Sequence, residues 1–312
     1  MASGQRAKVK KDKLLIKISP KLTKNVKNSI SFQKEIYLEH DFLEWLSGFT
    51  DAEGNFNITL RKLNENSYTS VMLTFQIGLH IDDLSILEYI KEHLNCGHIS
   101  ISGSKCNYFI NDNASLIQVI LPIFNYTKLN SSKYYQFLIF EKAVNLIKEK
   151  KHLFLLGKLE MIKLYHEMKI PCLAPSSKEL NNSPLTINWL GGFTDGDSTF
   201  SISNFKPRLR FENSIKELEL FNRIKELLNT SSNLIIKKPR INRPNSNATI
   251  SLDITETQFL KNSIVPIYSK AGILRSKKLK DFNDWSIVVL IYYFGYHLLP
   301  EGKLLITDIK SH

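Results

Sequence analysis

A short motif occurs twice in this chain, and its duplication constrains the fold more than any other feature. Residues 45–58 read WLSGFTDAEGNFNI and residues 189–202 read WLGGFTDGDSTFSI, at a spacing of 144 residues. Matches continue outside the motif, since Pro122 and Pro266 have the same spacing. A repeat of this length exceeds the unit of a solenoid, so the chain is predicted to contain two similar domains.

The predicted domains are 38–168 and 187–312. Between them, residues 169–186 read KIPCLAPSSKELNNSPLT, and their three prolines predict a linker. Residues 1–37 carry ten basic and two acidic residues. This segment is predicted to be a basic tail, which is a solvated extension, a nucleic-acid-binding arm or the remnant of an upstream fusion.

Composition narrows the functional class. The net charge of +12 favours a polyanionic partner. The three cysteines lack paired spacing and the eight histidines form no ligand pattern, which argues against a disulfide framework or a zinc site. The apolar run at 286–299 is too short to span a bilayer and predicts a buried helix, so no membrane partner is expected.

After each motif the hydrophobic period changes from helical to alternating. Phe56 and Ile58 alternate with polar residues in the first copy, as Phe200 and Ile202 do in the second. This period is typical of half-buried strands. Because amphipathic helical segments and further hairpins follow, each half is predicted to be an αββαββα repeat, which gives an α+β fold with two repeats related by a pseudo-twofold axis.

The polar faces of the predicted strands are candidate DNA-binding surfaces, because Asn, Gln, Ser, Thr, Lys and Arg hydrogen-bond base edges and phosphates. The candidates in the first half are Asn55, Asn57, Thr59, Arg61, Lys62, Ser70, Met72, Thr74, Ser100, Ser102 and Lys105. The candidates in the second half are Thr199, Ser201, Ser203, Lys206, Arg208, Arg210, Lys237, Lys238, Arg240, Arg243 and Asn245. A solvated antiparallel sheet is also polar outside, so the pattern alone leaves both interpretations open.

Glu53 and Asp197 occupy the same place in the two motifs, and each is predicted to end a helix. A helix C-terminus carries partial negative charge, so a carboxylate there requires a compensating cation. Brought together across the axis, the two acids predict a Mg²⁺ site whose metal-bound water attacks a phosphodiester. The alternative is that they only start a turn, a role for which Asp51 and Asp195 are better placed.

Each motif helix also carries small residues one turn apart, Gly48 with Ala52 and Gly192 with Gly196. Small residues at this spacing let two helix backbones approach closely, so the motif helices are predicted to pack against each other. The carbonyl groups of Ala52 and Gly196 are left free by the helix ends and are further candidate metal ligands.

The motifs LSGFTDAEG and LGGFTDGDS resemble those of the LAGLIDADG homing endonucleases in their single-chain, two-motif form. The resemblance extends over residues 38–312. It implies that the motif helices form the interface between the repeats and that two saddle-shaped antiparallel sheets lie on DNA. It also implies that the acid at the eighth motif position binds metal, which maps to Glu53 and Asp197.

The implied reaction is cleavage of both strands of a long, pseudo-palindromic DNA target, leaving short 3′ overhangs. Mg²⁺ is expected to support cleavage and Ca²⁺ to support binding alone. The resemblance further implies a monomer encoded within an intron, often in a fungal mitochondrion. Two alternatives remain, an RNA maturase that binds its own intron RNA and a catalytically inactive DNA-binding protein. Maturases can lose a metal carboxylate, so the presence of both acids favours the nuclease.

Three further positions bear on catalysis. The final motif glycine is replaced by Ser198 in the second copy. Gln76 and Glu212 are matched as the polar residues that members of the family place near the active site from the second strand. Lys133 and Lys277 are matched as candidates for the lysine that such sites hold near the scissile phosphate; the alternative is an ordinary surface lysine after a serine N-cap.

Overall fold

The structure is a computed structural model that describes residues 13–18, 34–64, 67–239 and 247–311. The first half contains strands β1 (Lys13–Ile18) and β2 (Lys34–Glu39), helix α1 (His40–Glu53), strands β3 (Gly54–Asn64) and β4 (Ser67–His80), helix α2 (Leu84–Leu94), strands β5 (His98–Ser102) and β6 (Lys105–Ile110), and helices α3 (Asn113–Ser115), α4 (Leu121–Tyr126), α5 (Lys133–Lys148) and α6 (Leu155–Glu167).

The second half repeats this order. It contains helix α7 (Ile187–Asp197), strands β7 (Ser198–Ser203) and β8 (Lys206–Ser214), helix α8 (Leu218–Leu228), strands β9 (Leu234–Lys237) and β10 (Thr249–Ile254), and helices α9 (Thr257–Phe259), α10 (Val265–Tyr268), α11 (Lys278–Tyr293) and α12 (Pro300–Ser311). Single 3₁₀ turns precede α2 and α8, at Ile81–Asp83 and Ile215–Glu217.

Each half has one four-stranded antiparallel sheet. The strand order is β3-β4-β6-β5 in the first half and β7-β8-β10-β9 in the second. The predicted α+β fold with two αββαββα repeats is therefore confirmed.

One face of each sheet is covered by helices, which accounts for the alternating pattern of the strands. In the first half Phe56 contacts the rings of Phe75, Phe124, Phe137 and Phe140, and all five side chains are buried. Each buried phenylalanine contributes about 1.5–3 kcal/mol through removal of its ring from water. The opposite face of the sheet is left exposed and polar.

The motif helices α1 and α7 cross in direct backbone contact. A Cβ on Gly48 would lie 1.9 Å from the carbonyl oxygen of Trp189, and a Cβ on Gly192 would lie 1.9 Å from that of Trp45. No side chain fits in this space. The prediction that small residues pack the two motif helices together is confirmed, and the contact places the C-terminal ends of both helices side by side.

The segment predicted to be a basic tail contains strands. β1 pairs antiparallel with β2, with Lys13 opposite Glu39, and β2 continues directly into α1 at His40. Leu14 packs against the core of the first half. This strand pair differs from the expected solvated extension because Leu14 and Leu38, which lie opposite each other, pack in the core of the first half. Residues 1–12 and 19–33 of the predicted tail lie outside the described residues.

The predicted linker lies between α6 and α7 and packs on the second half. The amide of Ala174 donates to the carbonyl oxygen of Lys216 at 2.9 Å, and Arg223 Nη2 donates to that of Ser183 at 2.9 Å. The apolar run at 286–299 extends past the end of α11. The predicted buried helix is buried on one side only, since Val288 is buried and Ile287 is exposed. Within the described ranges, no helix combines the length and hydropathy needed to cross a bilayer.

Candidate active site

Glu53 and Asp197, the last residues of α1 and α7, share one region between the two sheets. A Cβ on Gly196 would lie 2.2 Å from Cβ of Ala52 and 3.1 Å from Cγ of Glu53. Burial raises the pKa of Asp197 to about 7; Lys133 opposes this shift and the negative charge of Glu53 adds to it. The structure thus brings the two predicted acids together in one electrostatic environment.

The groups gathered here fit a divalent cation. Burial also raises the pKa of Glu53, and both acids lie at helix C-termini, where partial negative charge accumulates. Carboxylate and carbonyl oxygens are the hard ligands that Mg²⁺ prefers. Among the described residues no group of three or more His, Cys, Asp or Glu side chains could hold a metal. The carboxylates of Glu53 and Asp197, one from each motif helix, are therefore the candidate ligands that this site offers a cation.

Lys133, the first residue of α5, extends to the end of α1. Its Nζ donates to the carbonyl oxygens of Thr50 at 3.2 Å and Ala52 at 2.6 Å. Burial lowers its pKa, and the nearby negative charges, first among them Asp197, act in the opposite direction. The lysine predicted from the first half is therefore in the site, with its ammonium group held by the motif helix.

The predicted match of Lys133 with Lys277 is wrong by one residue. The lysine that extends to the end of α7 is Lys278, whose Nζ donates to the carbonyl oxygen of Gly196 at 2.7 Å. Lys277 is half exposed and lies 3.3 Å from Asp83 Oδ2. The error arises because the repeat gains one residue before the lysine, not after it.

The sequence predicts that the carbonyl oxygens of Ala52 and Gly196 are free. In the structure they are not free. Each accepts a hydrogen bond from a lysine. The helix end leaves these oxygens without a backbone partner, and the lysine supplies one. A carbonyl oxygen has two lone pairs, so each retains capacity for a metal.

Asp51 braces the interface instead of capping its own helix. Its carboxylate accepts from the backbone amide and hydroxyl of Ser131, at 2.9 and 2.6 Å, just before α5 begins. It also accepts from Trp189 Nε1 of the opposite motif helix at 2.8 Å. The side chain is buried, and burial raises its pKa while the bonds from Ser131 lower it. Asp51 therefore fixes the start of the helix that carries Lys133.

The second half repeats this arrangement. Asp195 accepts from the amide and hydroxyl of Ser276, at 3.1 and 2.5 Å, and from Trp45 Nε1 at 2.9 Å. Ser131 and Ser276 are thus equivalent, and the lysine two residues after each serine is the one in the site. Asp51 and Asp195, which the sequence offers as residues that start a turn, instead each join the start of the lysine-bearing helix to a tryptophan of the opposite motif helix.

A second pair of acids links the two halves beside the site. Glu217, in the turn before α8, is buried and accepts from the amide and hydroxyl of Ser132 at 3.0 and 2.5 Å. Asp83, in the equivalent turn before α2, faces Lys277. Each acid therefore contacts the start of a helix in the opposite half.

Asp197 has a partner that Glu53 lacks. Asn213 Nδ2 donates to Asp197 Oδ2 at 2.6 Å. Asn213 lies two residues before the 3₁₀ turn of its half, and the residue at that position in the first half is Leu79. Leucine has no side-chain donor. The two metal-binding candidates are therefore supported differently.

The predicted equivalence of Gln76 and Glu212 is wrong. Gln76 lies opposite Asn55 in the β3–β4 pair, whereas the residue opposite Thr199 in the β7–β8 pair is Arg210. Glu212 lies two residues further along its strand. Phe75–Gln76 and Phe211–Glu212 are similar in sequence but not equivalent in structure, because the hairpin of the second half is shorter.

The strand candidates of the first half whose side chains are described lie on the outer face of their sheet, and Thr74, opposite Asn57, is buried there with 7% exposure. The exposed residues are Asn55, Asn57, Thr59, Arg61, Ser70, Met72, Ser100, Ser102 and Lys105. The backbone of Lys62 continues β3, and its side chain lies outside the described part.

The second-half candidates are exposed or half-buried. They are Thr199, Ser201, Ser203, Lys206, Arg208, Arg210, Lys237 and Lys238. Arg240, Arg243 and Asn245 lie outside the described residues. The part of the second sheet that the structure describes contains a cluster of charges, in which Arg210 contacts Asp253 and Lys237 contacts Glu212.

Sequence reasoning missed Lys278, Asn213 and the two tryptophans. The sequence contains a sign of the tryptophans' role, because Trp45 and Trp189 are the first residues of the two motif copies. Lys278 follows Lys277 directly, so the pair could have been treated as two candidates. Asn213 had no signal, because its first-half equivalent is apolar.

Paired repeats, crossed motif helices and a shared acidic pair define a pseudosymmetric protein with one central site. The family model described as LAGLIDADG endonuclease matches residues 46–144 and 190–289. The chain belongs to this family.

The chain is similar to fungal mitochondrial and intron-encoded proteins and to solved structures. It is 27% identical over 303 residues to the uncharacterized mitochondrial protein RF1 of Saccharomyces cerevisiae, covering 88% of this chain and 60% of that protein. It is 32% identical over 129 residues to the Neurospora crassa protein named "Probable intron-encoded endonuclease 2", covering 41% of this chain and 27% of that one. The chain thus spans less than two thirds of both relatives.

The fold is similar to that of I-SmaMI bound to uncleaved DNA in the presence of calcium ions. The TM-score is 0.73 with 25% sequence identity, and the match covers 86% of this chain and 97% of I-SmaMI.

Proposed function

We propose that this chain is a site-specific DNA endonuclease that cuts both strands of a long, pseudo-palindromic target with Mg²⁺ and leaves short 3′ overhangs. The observation that carries the proposal is the meeting of Glu53 and Asp197 between two polar sheet faces, where a half-buried lysine from each half lies at the end of a motif helix. A site with two acids and two lysines, one of each from either half, suits a reaction carried out once on each strand.

The acids and the lysines of the site have different roles in the proposed reaction. Glu53 and Asp197 would hold a Mg²⁺ ion, which would supply an acidified water and charge stabilisation for the leaving oxygen. Lys133 and Lys278 each use two N–H groups on motif-helix carbonyl oxygens, which leaves a third N–H for a phosphate oxygen or a water.

Asp51 and Asp195 keep these lysines in place through the serines that precede them. Because each aspartate also accepts from a tryptophan of the opposite motif helix, a shift of one helix moves the lysine of the other half. The two cutting positions are thereby kept in register with each other.

The similarity to mitochondrial and intron-encoded fungal proteins supports an origin in a mitochondrial intron. We infer that the chain acts as a monomer, because both halves of the site come from one polypeptide. Ca²⁺ is expected to support binding without cutting, as the calcium-bound I-SmaMI complex suggests.

The test is to incubate the purified chain with the insertion-site DNA of its host gene, in Mg²⁺ and in Ca²⁺. A nuclease cuts in Mg²⁺ and only binds in Ca²⁺. A maturase leaves the DNA intact and protects its intron RNA, and an inactive DNA-binding protein binds in both ions without cutting. Either of the last two results would overturn the proposal.

A further inference from the structure

The outer faces of the two sheets differ most at one pair of equivalent positions. Gln76 lies opposite Asn55 on β3, and Arg210 lies opposite Thr199 on β7. Both side chains point away from the core, on the face of each sheet that carries the strand candidates. A neutral amide in one half therefore corresponds to a cation in the other.

The guanidinium of Arg210 is fixed by a carboxylate. Its Nε donates to Asp253 Oδ1 at 2.7 Å and its Nη2 donates to Asp253 Oδ2. Arg208 Nη1 lies 3.9 Å from the same carboxylate. Because Asp253 is directly opposite Arg210 on β10, the pair is built into the sheet register.

This contact leaves the outer end of the guanidinium available. Arginine has five N–H donors, and Asp253 occupies two of them on one edge. Glu212 Oε2 lies 3.6 Å from Nη1, and Glu212 is itself held by Lys237 Nζ at 3.1 Å. The remaining edge, formed by Nη1 and Nη2, has the spacing of two parallel donors. Parallel donors of this kind match the O6 and N7 acceptors of guanine in the major groove.

Gln76 is fixed in a different way. Its Nε2 donates to Oδ1 of Asn107 at 2.9 Å, and Asn107 lies on the neighbouring strand β6. The second N–H of the amide and its Oε1 remain available. One donor beside one acceptor matches N7 and N6–H₂ of adenine.

We propose that the two half-sites of the target differ at pseudo-symmetric positions, with Gln76 reading an adenine in one and Arg210 reading a guanine in the other. The proposal rests on the proposed DNA-binding function. The target is then pseudo-palindromic in its outline and asymmetric at this pair of positions.

The experiment is a selection of bound duplexes from a randomised DNA pool by the full chain in Ca²⁺, repeated with two variants. Arg210→Gln is expected to change the preferred pair at one position from G·C to A·T, by roughly tenfold in relative affinity. Gln76→Arg is expected to make the opposite change at the pseudo-symmetric position. Each variant leaves the preference in the other half unchanged.

Lys206→Gln is the matched control, because it removes one positive charge from the exposed end of the same strand β8. It is expected to weaken binding to all sequences alike and to leave both base preferences as they are. If the pool yields no enriched sequence with the unmodified chain, the proposed function fails. If a sequence is enriched and neither variant shifts its base pair, this inference alone is wrong.

Discussion

Around the crossed motif helices, the two halves place the same side chains at equivalent positions. Gly48 and Gly192 each contact the backbone of the opposite helix, and Asp51 and Asp195 each accept from the opposite tryptophan. On the outer sheets the equivalence ends, as Gln76 and Arg210 show. Each of these interface residues makes the same contact with the opposite motif helix as its counterpart does, so both copies are under one geometric constraint. Residues on the outer faces contact separate stretches of a ligand and can differ.

The largest expected effect is at Glu53 and Asp197, the two acids proposed to bind the metal. Glu53→Gln and Asp197→Asn are each expected to lower cleavage by about 10³-fold, because each removes a charge that holds the cation. Binding to the target in Ca²⁺ should persist. The measurement is single-turnover cleavage beside a gel-shift titration. Glu92→Gln, an exposed acid on α2, is the control and should cut normally. Full activity in either motif variant would contradict the assignment.

A second prediction separates the adjacent lysines of the second half. Lys278→Met is expected to lower the cleavage rate by about 10²-fold, since it removes the ammonium group that lies at the end of α7. Lys277→Met breaks only a half-exposed ion pair with Asp83, and the rate should fall by less than about fivefold. Single-turnover rates at saturating protein measure both. The reverse order would restore the original match of Lys277 with Lys133.

The inner architecture could be predicted from sequence because it depends on local patterns that occur twice. Helical spacing, the small residues of the motif and the paired acids all follow from a few adjacent residues. The lysine and the second-strand residue depend on register across longer segments, where one or two inserted residues change the match. For that reason the sequence spacing matches Lys277 instead of Lys278, and Glu212 instead of Arg210.

Other features had no sequence signal because they depend on contacts between distant segments. Asn213 reaches Asp197 only through the sheet register, and its first-half equivalent is apolar. The high charge of residues 1–37 predicts a tail, and for that reason the pairing of β1 with β2 could not be predicted. Charge density describes the surface of a strand pair, whereas pairing depends on the alternation of its apolar residues.

A third prediction concerns the helix crossing. Gly192→Ala is expected to lower the free energy of unfolding by about 3 kcal/mol, because the new methyl group overlaps the carbonyl oxygen of Trp45 and the backbone must separate. Gly48→Ala should have a similar effect. Thermal or urea unfolding measures both. Gly103→Ala is the control, since its Cβ would meet nothing within 4 Å and only its positive φ resists substitution. That control should lose about 1 kcal/mol. Equal losses at all three positions would argue against close helix contact.

The smallest effect concerns the stability of the site without metal. The pKa of Asp197 is about 7 in the folded chain, above its ordinary value of 3.8. The folded state therefore binds this proton more tightly than the unfolded state does. The resulting stabilisation is fully present below about pH 4 and is lost as the pH rises through 7. In EDTA, Asp197→Asn should thus be more stable than the unmodified chain at pH 8, by about 2 kcal/mol, and should lack this pH dependence.

Urea unfolding between pH 5 and pH 8 measures the difference, and saturating Mg²⁺ provides the internal control. A cation that binds only the folded site should stabilise the unmodified chain at pH 8 and have a weaker effect on the variant. Identical unfolding curves for both proteins across this range, with and without Mg²⁺, would mean that Asp197 is neither desolvated nor a ligand. Glu53 and Asp197 would then not have equivalent roles, although the rest of the two motif helices is equivalent.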